Sequence, residues 1–156
     1  MNNIARLIIS ILICEGAGII GSLFTMSQIK SWYAGIKKPS FNPPGWIFGP
    51  VWSILFLLMG VSLYLVWSGG ISGIPIETEI TIFGIQLALN ILWSILFFGI
   101  HSPRLAFVDI IFLWAMILLT VFEFYSINNT AGLLLVPYFL WVSFALILNF
   151  EIWKLN

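Results

Sequence analysis

Charge is scarce in this chain. Only 8% of its 156 residues are charged and 61% are hydrophobic, whereas soluble domains carry roughly 25% charged residues. Six basic and six acidic residues cancel, so no basic field indicates nucleic-acid binding. The single cysteine, Cys14, excludes an intrachain disulfide. Most of the surface must therefore face a solvent other than water, which points to a lipid bilayer.

Catalytic and metal-binding patterns are also missing. No group of residues has metal-ligand spacing, and there is no Ser/His/Asp set, phosphate loop or carboxylate pair. The single histidine, His101, falls in a predicted loop. We therefore expect no metal, no obligatory cofactor and no enzyme of the ordinary acid–base kind.

Long apolar runs occupy most of the chain. A membrane-spanning helix needs about 20 mostly apolar residues, and because these runs are continuous rather than alternating, they predict helices and not barrel strands. Turn-forming residues separate them, and Ser102 followed by Pro103 is expected to open the fourth helix. The sequence predicts an all-α membrane protein, a single domain over residues 1–156 with a structured first loop. Its five transmembrane helices are expected at about 7–28, 46–67, 80–100, 105–127 and 131–153.

Basic residues are unevenly distributed between the two ends of the predicted helices. One set of ends holds only Arg6. The other set, comprising the loops 29–45 and 101–104 and the C-terminus, holds Lys30, Lys37, Lys38, Arg104 and Lys154. Because cytoplasmic loops carry an excess of Lys and Arg, we expect a multi-pass protein with its N-terminus outside. The first loop and the C-terminus are expected in the cytoplasm.

The segment between the first two predicted helices, residues 32–50, reads WYAGIKKPSFNPPGWIFGP. Proline fixes φ and lacks an N–H donor, so four prolines predict a defined path without helix or sheet. We call residues 29–45 the strap. Its rings and lysines suit either a lid over a flat apolar ligand or an aromatic belt with anchoring lysines, and spacing does not separate these two interpretations.

Polar side chains at membrane depth are candidate binding groups, because they are costly in hydrocarbon. Gln86, Asn90 and Ser94 recur every four residues on one face of the third helix, beside Trp93. Interhelical hydrogen bonding is the simpler explanation for Gln86 and Ser94. For Asn90, ligand contact and a structural role remain equal alternatives.

Aromatic stripes follow the second and fifth predicted helices. The second helix aligns Phe48, Trp52, Phe56 and Met59, and the fifth aligns Tyr138, Trp141, Ala145 and Asn149. Such stripes usually reflect packing alone, but tryptophan normally concentrates at the membrane interface. Four tryptophans lie inside the predicted helices instead, and together they predict a shared aromatic cavity: Trp52, Trp93, Trp114 and Trp141.

Of the acidic residues inside predicted helices, Glu123 and Glu151 are near helix ends and are expected to be solvated, whereas Glu15 and Asp109 need a separate explanation. Glu15, near the middle of the first helix, is expected to be protonated or hydrogen-bonded because an ionised carboxyl is costly in hydrocarbon. A proton relay is the alternative, although no second acid is clearly placed to partner it. Asp109 lies about two turns into the fourth helix and within reach of Arg104, where a structural role is expected.

The motifs from residue 32 to 149 resemble those of the tryptophan-rich sensory protein, or translocator protein, family, formerly the peripheral benzodiazepine receptor family. The matching motifs are Trp32-Tyr33, Lys38-Pro39, Phe41-x-Pro43-Pro44, Phe48-Gly49-Pro50-x-Trp52, Met59-Gly60, Gln86-Leu87-x-Leu89-Asn90-x-x-Trp93-Ser94, Phe97-Phe98, Ala106-x-x-Asp109, Leu113-Trp114, Pro137-Tyr138-x-x-Trp141-x-x-Phe144-Ala145 and Leu148-Asn149. The first helix contributes little to this resemblance.

The resemblance implies a five-helix bundle, often a homodimer, with one ligand pocket in its cytoplasmic half, closed by the first loop. It implies porphyrins such as protoporphyrin and haem, and isoquinoline and benzodiazepine compounds, as ligands. The pocket residues carried over are Tyr33, Pro43, Trp52, Asn90, Trp93, Tyr138 and Trp141, and the two aromatic stripes add Phe56 and Ala145. The resemblance also implies cholesterol binding in animals. However, no tyrosine here satisfies the proposed L/V-x₁₋₅-Y-x₁₋₅-K/R pattern, which argues against sterol binding by this chain.

Three functions follow from these observations. The leading one is a porphyrin-binding membrane protein that acts as a sensor or carrier in a tetrapyrrole or stress response. The second is a light-dependent porphyrin-degrading enzyme, which would use the bound porphyrin as photosensitiser with Trp52 and Trp141 as redox-capable neighbours. The third is a secondary transporter, but the sequence has no inverted repeat and no pair of coupling carboxylates.

Small residues spaced four apart offer two faces for a dimer, because they let helices approach closely in lipid. One is Gly84-xxx-Ala88 on the third helix, and the other comprises residues 17–22 on the first. We favour the third helix because Gly84 and Ala88 lie off the face that carries Asn90. The small residues of the first helix would then serve packing within its own bundle.

Overall fold

A computed structural model describes all 156 residues, and every regular element is a helix. The elements are α1 (Asn3–Ile29), α2 (Trp32–Gly35), a 3₁₀ turn (Gly45–Ile47), α3 (Phe48–Ile71), α4 (Glu77–Ser94) with a π-helical continuation (Ile95–Gly99), α5 (Pro103–Ile127), α6 (Asn129–Leu134) and α7 (Val136–Leu155). Five helical segments are long and apolar enough to cross a membrane, with α6 and α7 together forming the fifth. The predicted all-α bundle of five transmembrane helices is confirmed.

Four of the five spanning segments begin earlier than predicted, namely those that open with α1, α4, α5 and α6. Asn2, Ser102 and Asn128 precede α1, α5 and α6, and the side-chain oxygen of each accepts a hydrogen bond from the backbone N–H three residues later, at 2.8, 3.2 and 3.1 Å. Such caps satisfy otherwise unpaired N–H groups of the first turn. An apolar run does not include these polar first turns, so hydropathy places the helix starts too late. The predicted opening of the fourth span by Ser102 and Pro103 is confirmed.

The spans form a closed ring whose order differs from the chain order. The first span, α1, packs against α3 and α4; α4 packs against α5; and α5 packs against α7 and α6. The ring closes where α6 packs against α3. The helix α3 packs against the last span at α6 rather than along α7. The helices are therefore closely packed at the α6 end of the bundle and farther apart at the strap end.

The small residues of α1 face the interior of the bundle. A Cβ atom at Gly18 would lie 2.6 Å from the ring of Phe56, and Gly21 is buried. On α4, by contrast, Gly84 and Ala88 are exposed, and a Cβ atom at Gly84 would meet nothing within 4 Å. The small residues of α1 therefore serve packing within the chain, while those of α4 remain free on the outside.

The strap contains more helix than predicted. One helical turn, α2, follows the end of α1, and the 3₁₀ turn leads into α3, so the expectation of no helix is wrong at both ends of the segment. Residues 36–44, which include three of the four prolines, are irregular as expected, with the Asn42 N–H donating to the Pro39 carbonyl at 3.1 Å. Proline prevents regular structure only in its own neighbourhood, and α2 precedes the first proline.

Candidate functional site: a tryptophan-lined cavity

A cavity of about 520 Å³ lies in the strap end of the bundle, where α3 and α7 diverge. Ligand sites typically measure about 300–1,000 Å³. The second half of α1, the beginning of α3, the end of α4 and the part of α7 from Trp141 to Ile152 form its walls. The strap contributes Ile29, Tyr33 and Gly45. Sixteen of its 27 lining residues are hydrophobic, so the cavity suits a largely apolar ligand.

Most of the predicted site residues meet at this cavity. Seven of the nine line it, namely Tyr33, Trp52, Phe56, Asn90, Trp93, Trp141 and Ala145. Pro43 and Tyr138 do not. Pro43 lies in the irregular part of the strap, where its carbonyl accepts from the Asn42 side chain at 3.2 Å. Tyr138 is only 1% exposed and lies behind the cavity wall.

Tyr138 joins two polar residues of α4 into a hydrogen-bonded chain. Its hydroxyl donates to Gln86 Oε1 and accepts from Asn90 Nδ2, both at 2.7 Å. Gln86 is fully buried and does not line the cavity, as expected for a structural polar group. Asn90 does line the cavity, and its Oδ1 atom accepts no hydrogen bond from the protein. Asn90 therefore has a structural bond on one side and a free acceptor on the other.

The tryptophans at membrane depth divide into two pairs. Trp93 Nε1 donates to Asn149 at 2.9 Å, and Trp114 Nε1 donates to Ser143 at 2.8 Å. The indole N–H groups of Trp52 and Trp141 have no acceptor in the protein, and both rings line the cavity. Trp114 does not line it, so the prediction that all four share one cavity is wrong for Trp114, whose ring packs between α5 and α7.

Trp52 and Trp141 stand in an aromatic surround. Trp52 stacks on Phe56 with ring centroids 5.6 Å apart and an interplanar angle of 29°, while Trp141 meets the edge of Phe48 at 6.2 Å. The π-helical turn after α4 adds Phe97 and Phe98, and such turns often occur at functional sites. A flat ligand would therefore meet rings on several walls.

The model of the TspO/MBR family matches residues 10–154. The chain belongs to the TspO/MBR family. It is 46% identical to the tryptophan-rich protein TspO of Archaeoglobus fulgidus over 154 residues. These residues make up 99% of this chain and 99% of that protein. It is 37% identical to the translocator protein of Homo sapiens, over 88% of this chain and 82% of that protein. It is also 32% identical to the tryptophan-rich sensory protein of Cereibacter sphaeroides, over 92% of this chain and 86% of that protein.

In this TspO/MBR chain, an internal network holds the strap over the cavity. The Tyr33 hydroxyl donates to Asn42 Oδ1 at 2.7 Å, and Lys38 Nζ donates to the carbonyls of Tyr33 and Ile36 at 2.6 and 3.0 Å. Burial raises the pKa of the Tyr33 phenol, an effect that the Asn42 hydrogen bond partly offsets. The phenol thus stays protonated at neutral pH and remains a donor. The Lys38 ammonium group is therefore engaged in hydrogen bonds within the strap, whereas Lys37 is exposed.

The far end of α7 also holds the strap. The Asn156 side chain accepts from the Lys37 N–H at 3.0 Å and donates to the Lys37 carbonyl at 2.8 Å. Its amide also donates to the Ile152 carbonyl at 2.7 Å, and Ile152 lines the cavity. A shift of α7 would therefore be transmitted directly to the strap.

Sequence reasoning missed that α1 forms a whole wall of the cavity. A stripe at helical spacing lines the cavity, and it comprises Glu15, Gly18, Ile19, Ser22, Thr25, Met26 and Ile29. The small residues of α1 were visible in the sequence, but they predict helix packing as readily as a cavity wall. The spacing of Glu15 with the later members of the stripe was the one signal that could have placed it there.

Asp109 is not paired as expected. It is 5% exposed, and neither carboxyl oxygen has a hydrogen-bond partner. Arg104 is exposed, and the protein's one ion pair joins Lys154 to Glu151 at 3.2 Å. The expected contact with Arg104 is therefore wrong: the two residues lie on one helix five positions apart, and such residues do not share a face as those three or four apart do.

Replacing Asn90 tests whether its free acceptor contacts ligand. We expect Asn90→Leu to lower affinity for an isoquinoline secondary carboxamide by roughly 1–3 kcal/mol. The amide N–H of this ligand, buried in the cavity, would lose Asn90 Oδ1 as its acceptor. The N-methylated tertiary amide should lose little. Titration of purified protein with both compounds measures the difference.

Gln86→Leu is the matched control for Asn90→Leu. It removes the hydrogen bond between Gln86 and Tyr138, and so breaks the same hydrogen-bonded series of side chains, without altering the cavity lining. Equal losses for both amides, or the same loss in Gln86→Leu, would assign Asn90 a purely structural role.

Proposed function

We propose that this chain binds porphyrins, such as protoporphyrin and haem, and related flat apolar compounds in the tryptophan-lined cavity. It would act as a sensor or carrier in a tetrapyrrole or stress response. The observation that carries the proposal is the pair of cavity-lining indoles, Trp52 and Trp141, whose N–H groups have no acceptor in the protein. Both rings are half-buried. An indole N–H that is removed from water normally finds such a partner, so a ligand is the group that would complete them.

The ligand's acidic groups would lie at the strap. No Lys, Arg or His lines the cavity, so the propionates of a porphyrin would find no cation inside it. Lys30 and Lys37 are exposed at the strap and can form charge-assisted hydrogen bonds. Lys38, the third lysine of the strap, is engaged by backbone carbonyls. We therefore propose that the macrocycle enters with its acidic edge towards the strap.

The same cavity supports isoquinoline and benzodiazepine compounds as ligands, since both are flat and largely apolar. The names of two relatives, a translocator protein and a tryptophan-rich sensory protein, are consistent with a carrier or a sensor. The excess of basic residues at the strap end favours a cytoplasmic strap and C-terminus, with the N-terminus outside.

A light-dependent porphyrin-degrading enzyme is the second candidate. Its support is that two redox-capable indoles without internal partners would flank a bound photosensitiser. The bound porphyrin would absorb light and molecular oxygen would be the oxidant, so no acid–base set is needed.

Illumination separates the two candidates. Purified protein is mixed with protoporphyrin and followed by absorbance in the dark, in light with oxygen, and in light without oxygen. If the protein only binds porphyrin, the absorbance spectrum shifts under all three conditions. The amount of porphyrin then falls no faster with protein than without it. If the protein is a degrading enzyme, protoporphyrin is lost only in light with oxygen. The parent protein should then degrade it faster than the Trp52→Phe variant does. Absence of any spectral shift in the dark would contradict porphyrin binding itself.

We also propose a homodimer through α4, because Gly84 and Ala88 form the exposed small-residue face. Gly84→Leu or Ala88→Leu should shift detergent-solubilised protein towards monomer, measured by light scattering, and leave ligand binding unchanged. Dimer cross-linking that survives both α4 substitutions would contradict an interface through α4.

A further inference from the structure

Glu15 is the only acidic or basic side chain that lines the cavity. It is the first cavity-lining residue of α1, and Ile29, where the strap begins, is the last. At 1.5 Å per residue the two lie about 21 Å apart along the helix. The carboxyl group therefore marks the end of the cavity that is farthest from the strap and its lysines.

The protein supplies no partner for this carboxyl group. Glu15 forms no ion pair, since the single pair is Lys154–Glu151. The nearest basic residue along α1 is Arg6, whose guanidinium already donates to Asn3 at 2.9 Å and to the Met1 carbonyl at 2.7 Å. A carboxylate at this depth is costly unless it is neutralised, and Glu15 lines the cavity. A ligand is therefore the available source of a counter-charge.

Aromatic rings lie at the same end of the cavity. Gly18, one turn along α1 from Glu15, lies against the ring of Phe56, where an added Cβ atom would be 2.6 Å away. Trp52 stacks on that ring. An ammonium group gains from both a carboxylate and the faces of aromatic rings when it is removed from water. The arrangement thus supplies both elements of a site for an organic cation.

We propose that Glu15, with Phe56 and Trp52, forms a subsite for the protonated amine of a flat aromatic base, so that the cavity accepts basic aromatic amines as a further ligand class. The inference uses the cavity of the proposed function but does not require porphyrin to be its ligand. A basic amine would bind with its charge at the deep end, opposite to the acidic edge of a porphyrin.

Two matched probes test the subsite. 9-Aminoacridine is cationic at neutral pH, whereas acridine has the same ring system and is neutral. We expect the parent protein in nanodiscs to bind 9-aminoacridine at least about tenfold more tightly than acridine, because only the cation pairs with the carboxylate. Glu15→Gln should remove that preference and leave acridine affinity unchanged. Glu15→Asp, which keeps the charge, should retain part of the preference even if Glu15→Gln folds poorly.

Glu123→Gln is the matched control, since it neutralises a carboxyl group on α5 that does not line the cavity. It should leave both affinities as in the parent. No preference for the cation in the parent, no binding of either acridine, or equal losses of both in Glu15→Gln would overturn the proposal. Protoporphyrin titration of the same samples keeps the two ideas distinct: lost porphyrin binding with an intact amine preference contradicts only the porphyrin function.

Discussion

Trp52→Phe and Trp141→Phe should each weaken protoporphyrin binding by about tenfold, or roughly 1.4 kcal/mol, because each replaces an indole with a smaller ring and removes an unpartnered N–H donor. The two rings reach the cavity from α3 and α7, which diverge there, so their losses should combine in the double variant. Porphyrin absorbance and tryptophan fluorescence quenching measure the affinity. Under illumination with oxygen, each substitution should also slow pigment loss or alter its products.

Trp67→Phe is the control for both substitutions. Trp67 lies on α3 near the end opposite the strap and does not line the cavity. It should bind protoporphyrin like the parent, and all variants should retain the parent's helical circular dichroism. If Trp52→Phe and Trp141→Phe both bind and process protoporphyrin like the parent, the cavity is not the porphyrin site.

Three of the four tryptophans that the sequence predicts at membrane depth line the cavity. Trp52, Trp93 and Trp141 lie inside apolar spans, where an indole N–H has few acceptors. Trp114 does not line the cavity, because its ring packs against Phe139 and its N–H donates to Ser143. Sequence spacing shows that a buried N–H needs a partner, but it does not show whether the partner is a neighbouring side chain or a ligand.

Tyr138 was misplaced for a related reason. Its position on the aromatic stripe of α7 is right, but its hydroxyl turns towards Gln86 and Asn90 of α4 and keeps the ring behind the cavity wall. The role of α1 as a wall follows from the ring order of the helices, which apolar runs alone do not encode. The hydrogen bonds between Asn156 and Lys37 join residues that are 119 positions apart. No short sequence pattern predicts such a contact.

The strap should become protected from hydrogen exchange when ligand binds. Within its irregular part, 36–44, the backbone N–H groups of Lys37 and Asn42 donate to protein acceptors, while the remaining non-proline amides have none. Those amides should exchange quickly in the free protein, because exchange follows local opening. Tyr33 and Gly45 line the cavity, so ligand contacts at both ends would restrict the segment between them.

We expect saturating protoporphyrin to slow exchange at the non-proline amides of residues 29–45 by about tenfold or more, as a shift towards the closed strap requires. The loop at 72–76, at the opposite end of the bundle, is the internal control and should not change. Asn156→Ala should speed exchange at Lys37 in the free protein, because it removes that residue's acceptor, and ligand should restore less protection there than in the parent. Unchanged exchange across the strap at saturating ligand would reject the lid and favour the other interpretation of this segment, an aromatic belt with anchoring lysines.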